Sequence, residues 1–229
     1  MLDKKMKPKV IINVACNIMM TIFLILLMSY SLIGESTHEI LGISIFVLFI
    51  LHHILNYRLE KNIFHGKYTA YRTFQTIVVI VIFITMTGSM ISSITLSKYM
   101  QTFISIPRNI EFMRITHLLS AYWGFVMMSI HLGIHWKMSL SLIYKIIRHN
   151  HTIKICFKII GFLIAFYGVY ALIKRNLLSY LILQTMFVFI DFGEPVIYFL
   201  LDYSAMMGLF IFIGYNLTSL LKNNRTSIK

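Results

Sequence analysis

The chain has 229 residues, 58% of them hydrophobic and only 13% charged, where soluble domains carry roughly a quarter charged. That balance excludes an ordinary water-soluble domain, since the charges cluster between long apolar runs as they do in polytopic membrane proteins. The net charge of +13 does not point to nucleic acid as a partner, because the basic residues sit at the ends of those runs, where they meet anionic lipid headgroups.

In chain order, the apolar runs predict spans over 10–33, 38–57, 74–96, 112–136, 154–173 and 196–221. The expected fold is all-α, a polytopic membrane helical bundle of about six transmembrane helices in one domain, with no linker or repeat. The basic leader Lys4 to Lys9 resembles that of a signal peptide. Its apolar core is too long and no small-x-small cleavage site follows, so the first run is expected to remain as an anchor. Residues 177–190 are apolar but number only 14, a reach of about 21 Å at ~1.5 Å per residue. They are expected to form a helix lying in the interface, before a turn at Gly193-Glu194-Pro195.

With the N-terminus in the cytoplasm, sixteen of the 21 Lys and Arg fall on the inner side. The positive-inside rule then predicts a multi-pass protein of the cytoplasmic membrane with both termini inside. Only two cysteines occur, Cys16 and Cys156, which argues against a disulfide framework or a Cys-ligated metal.

Ionisable residues within spans point to function, and histidine dominates here. The second span carries His38, His52 and His53, and the fourth carries His117, His131 and His135. His38 and His52 are 14 residues apart, and so are His117 and His131. Fourteen residues turn a helix to within about 40° of four full turns and rise about 21 Å, so each pair shares one face at two depths. The two spans run in the same direction, which puts His38 level with His117 near the outer surface and His52 level with His131 nearer the inner one. Two imidazoles at each depth suit the two axial positions of a haem iron, with no position left open for oxygen. The expected core is therefore a four-helix arrangement holding two non-covalent b-type haems, stacked as an electron path.

The inner ligands leave alternatives. His53 lies about 60° past four turns from His38, a slightly poorer match than His52. His135 lies one turn below His131 and could ligate instead, bond a propionate, edge a quinone pocket or simply sit at the interface. Arg114, three residues before His117, is the best outer partner for a propionate, with Arg58, Lys67, Arg72 and Lys137 as inner candidates. Gly42, Gly88, Gly124 and Gly133 could admit a macrocycle or simply allow close helix packing. Tyr122, Trp123 and Trp136 could pack on haem or form interfacial belts, and Asn56 could orient a ligand. His65, His149 and His151 fall in inner loops and read as solvated.

His38-Glu39-Ile40-Leu41-Gly42, His52-His53-Ile54-Leu55-Asn56 and Gly66-Lys67-Tyr68 resemble the flavinylation-associated cytochrome family, as do Arg114-Ile115-Thr116-His117, Ala121-Tyr122-Trp123-Gly124 and the run from Ser129 to Trp136. The resemblance covers 38–137 and extends weakly over Asp191 to Tyr203; the first span shows nothing specific. It implies a bacterial relative of two-haem cytochrome b bundles. Such proteins exchange electrons between the quinone pool and an extracytosolic partner carrying covalently attached flavin. The chain itself has no flavin-attachment motif of the Ser/Thr-Gly-Ala-Thr kind and no Gly-rich nucleotide loop, so that chemistry would sit on another polypeptide. From a different class, a transporter or channel using the histidines would want clustered carboxylate partners or broken helices, and a haem-free scaffold would need neither.

Overall fold

In a hydrocarbon solvent the backbone must satisfy its own hydrogen bonds, and every regular element among the described residues is helical. The computed structural model describes residues 8–61, 68–97, 109–146, 151–188 and 193–223. Its helices are α1 (Pro8–Leu27), α2 (Tyr30–Ile33), α3 (Glu35–Lys61), α4 (Ala70–Leu96), α5 (Ile110–Ile146), α6 (His151–Lys174), α7 (Leu177–Leu181) and α8 (Val196–Asn223). Six of them, α1, α3, α4, α5, α6 and α8, are long and apolar enough to cross a membrane, so the chain is an all-helical multi-pass membrane protein.

Local chemistry sets the ends. Thr69 caps α4 by accepting from the Arg72 N–H at 3.3 Å, and Asn109 Oδ1 accepts from Phe112 N–H at 3.1 Å at the start of α5. The first run, expected as one helix over 10–33, breaks after Leu27. Ser29 is fully buried there, and both its N–H and its hydroxyl turn back to the Leu26 carbonyl, at 3.0 and 2.6 Å. Gly34 then takes φ +83°, a left-handed setting suited to glycine, before α3 begins. Among the described residues of the expected interfacial helix over 177–190, the helix runs only as far as Leu181. Leu183 adopts φ 56°, which a continuing right-handed helix does not allow, and the Gln184 N–H returns to the Ser179 carbonyl at 2.9 Å.

The polarity of the fold is that of a protein in lipid. Phe166 and Ile173 on α6 are 71% and 72% exposed, while Asp202 on α8 has no exposed surface. Buried Ser92 and Ser129 return their hydroxyls to helix carbonyls one turn back, at 2.7 and 2.6 Å.

The chain divides into two compact units, Met1–Lys67 and Tyr68–Lys229. In the first, α1 and α3 pack as an antiparallel hairpin, burying Cys16, Met20 and Leu24 with Ile45 and Phe49. In the second, α5 packs on α4 along one side and on α8 along another, and α8 also packs on α6. Small residues make these crossings possible. A Cβ on Gly133 would strike the Ile211 carbonyl oxygen of α8, and one on Gly168 would strike the Ala205 carbonyl oxygen. Gly88 faces the Ser120 hydroxyl in the same manner.

Candidate functional site

The histidine argument depends on unbroken helix between the members of each pair, and both α3 and α5 are continuous through them. On α3, His38 is half-buried and its ring meets Tyr30 edge-on at 4.9 Å. Gly42, one turn further on, would meet no atom within 4 Å if it carried a Cβ. His52 turns toward α1, where its Nδ1 lies 2.9 Å from Asn17 Oδ1. Asn56 donates to the His52 carbonyl at 2.8 Å and exchanges amide hydrogen bonds with Asn13 at 3.0 and 3.2 Å. His53 looks elsewhere: its Nδ1 lies 2.7 Å from Glu60 Oε1 and its ring packs edge-on against Phe49 at 4.3 Å.

On α5, His117 Nδ1 lies 3.2 Å from Ser92 Oγ and 3.3 Å from Ser93 Oγ of α4. The Ser92 hydroxyl proton is already given to the Gly88 carbonyl at 2.7 Å, while Ser93 brings a second hydroxyl to the same ring nitrogen. His131 and His135 stack one turn apart, ring edge toward face at 4.8 Å. Arg114, near the N-terminal end of α5, is exposed.

Among the other expected partners, Arg72 lies over the Tyr68 ring at 5.0 Å and Lys137 over Tyr215 at 5.7 Å, both cation–π contacts, and Arg58 is exposed. Tyr122 is buried within the second unit, stacked on Tyr180 at 4.7 Å, and the Trp123 indole N–H donates to the Leu181 carbonyl at 3.0 Å. These two rings clamp α7 onto α5. Lys67, His65, His149 and Asp191 lie outside the described residues, as does the side chain of His151.

A second polar constellation escaped sequence reading. Asp202, on the second turn of α8, accepts from Tyr167 Oη at 2.6 Å, from Lys174 Nζ at 2.9 Å and from Arg175 Nε at 2.8 Å. Glu194 pairs with the same two cations, at 2.7 Å to Arg175 and 3.3 Å to Lys174. Arg175 further lies over the Phe199 ring at 4.8 Å. Its hydrogen bond is the main reason that the Glu194 carboxyl is held below its ordinary value. The sequence signal was available: an acid seven residues into an apolar run, with a Lys-Arg pair closing the run before it.

Among the described residues no group of three His, Cys, Asp or Glu is placed to hold a bare metal ion. A haem differs in that it brings four of its own nitrogens and asks the protein for two. The donor chemistry fits: an imidazole that gives its Nδ1–H to a neighbour keeps its lone pair on Nε2, the form that binds iron, and His52 is held that way by Asn17 Oδ1. Compared with protein-family models, with curated proteins and with solved structures, the chain gives no match in any of the three.

Proposed function

We propose that the chain is a two-haem transmembrane cytochrome b, an electron-transfer subunit and not a stand-alone enzyme. The observation that carries this reading is the repeat of paired histidines, 14 residues apart, along the uninterrupted helices α3 and α5. Its support is that His52 and His117 are each oriented through Nδ1 by a polar side chain of the adjacent helix. His38 and His117 serve the outer haem, and His52 and His131 the inner one. When bound, haem would supply a one-electron carrier at each level, and the two histidines of that level would hold its iron and suit it to electron transfer.

The chain's own residues ligate, orient and insulate. Arg114 stands one turn from His117 on the same helix face, where a cation meets a propionate. Termini in the cytoplasm, a quinol or other donor on the inner side and an extracytosolic flavin-carrying acceptor complete the proposal. The four charges around Asp202 are balanced, two carboxylates against two cations, so that cluster does not ask for a transported ion.

The test is a reduced-minus-oxidised visible spectrum of the detergent-purified full chain, with haem quantified per polypeptide. Sharp b-type bands at about two haems per chain are expected. A colourless protein, expressed with ample haem, would overturn the proposal.

A further inference from the structure

The first helix reads as a plain anchor, yet it carries two asparagines one turn apart, Asn13 and Asn17, in a mostly apolar run. Polar amides in hydrocarbon are expensive unless bonded, and both are bonded to α3. They form a ladder. Asn13 and Asn56 exchange amide bonds at 3.0 and 3.2 Å, and Asn17 Oδ1 meets His52 Nδ1 at 2.9 Å.

The proton positions along this ladder follow by elimination. The Asn56 amide has two N–H groups, and they serve the Asn13 oxygen at 3.2 Å and the His52 carbonyl at 2.8 Å. The longer 3.4 Å approach of Asn56 Nδ2 to His52 Nδ1 is therefore left without a proton. His52 Nδ1 carries its own hydrogen and donates it to Asn17, which places the ring's lone pair on Nε2.

We infer that Asn17 is a positioning residue for the inner haem, fixing the tautomer and ring plane of its ligand His52 from the neighbouring helix. This rests on the two-haem reading. A neutral amide acceptor on Nδ1–H lends the imidazole modest electron density and so stabilises ferric iron. Removing the acceptor raises the reduction potential of that haem, and replacing it by an anion lowers it. The other haem, whose ligands Asn17 does not touch, stays where it was.

The experiment is a redox titration of the full-length chain at pH 8, followed in the visible bands, for wild type, Asn17→Leu, Asn17→Asp, His52→Ala and His53→Ala. Asn17→Leu is expected to move one of the two midpoints upward and weaken retention of that haem about 10-fold or more. The near-isosteric Asn17→Asp is expected to move the same midpoint downward, an opposite sign that loosened packing would not give. His52→Ala removes that haem and His53→Ala leaves it. Midpoints unchanged in both Asn17 variants, with His52→Ala still removing one haem, would overturn the role of Asn17 and leave the two-haem reading standing. Loss of the haem in His53→Ala instead of His52→Ala would also overturn it. A wild-type protein without haem would remove both.

Discussion

Arg175 Nη2 lies 2.6 Å from Asp202 Oδ2, inside a span and with the carboxylate fully buried. The pair joins the end of α6 to the second turn of α8, so α6 and α8 are fastened by charge near one end. Their small-residue contact at Gly168 and Ala205 lies further along. Asp202→Leu leaves Lys174 and Arg175 with Glu194 as their one remaining carboxylate in the cluster, and the expected cost is about 1–3 kcal/mol of stability. Thermal unfolding in detergent, compared with the milder Asp202→Asn, measures it.

Glu194 extends that cluster beyond the start of α8 and gives it a pH dependence. Hydrogen bonds from Arg175 and then Lys174 hold its carboxyl below the ordinary value in the folded chain. The unfolded chain therefore takes up a proton first as the pH falls. The stability Glu194 contributes is complete above the ordinary carboxyl range of about 4–4.5 and is lost as the pH drops through the lower folded value. Melting temperatures followed from pH 7 to pH 3 are expected to fall at the acid end, and Glu194→Gln is expected to flatten part of that fall.

The helix crossings distinguish glycines that look alike in sequence. Gly133→Ala drives a methyl into the Ile211 carbonyl and is expected to cost roughly 1–3 kcal/mol. Gly161→Ala meets nothing within 4 Å and is expected to be neutral or stabilising by up to ~1 kcal/mol, since alanine is the better helix former. Unfolding of the two variants side by side checks the contrast.

Each proposed ligand is expected to matter to one haem and not to insertion. His38→Ala, His52→Ala, His117→Ala and His131→Ala should each lower the haem content by one and leave a chain that still inserts and purifies. Four variants with unchanged spectra would reject the ligand set.

Much of the helix plan was legible because lipid imposes a simple code: runs of about 20 apolar residues, punctuated by charge. Five of the six predicted spans coincide with long helices to within a few residues at most ends. The C-terminal end of α5 runs further than its apolar stretch suggested, because helix continues past the point where hydropathy stops marking it. The break at Ser29 was not legible, since a single serine in an apolar run reads as a helix residue until its hydroxyl is seen returning to Leu26. The same holds for residues 177–190, where Leu177 and Tyr180 are buried but Leu178, Ile182, Met186 and Phe187 are exposed, so apolar character alone does not mark where the helix ends. Histidine spacing marked candidate positions on α3 and on α5. The polar side chains beside them, Asn17 at His52 and Ser92 at His117, were invisible because nothing in a single sequence says which neighbouring helix faces which.

Helix α1 has 20 residues, about 30 Å at ~1.5 Å each, which equals the hydrocarbon thickness of an average bilayer with no surplus. Helix α5 has 37 residues, about 55 Å, and its last turns continue past Met138 with Leu140, Leu142 and Ile143 still apolar. A thicker membrane can therefore draw in more of α5, whereas past Leu27 it meets the bend at Ser29 and Gly34 and no more of α1. The hydrophobic match of α1 is fixed at that end, and α1 is the span holding Asn17 against His52.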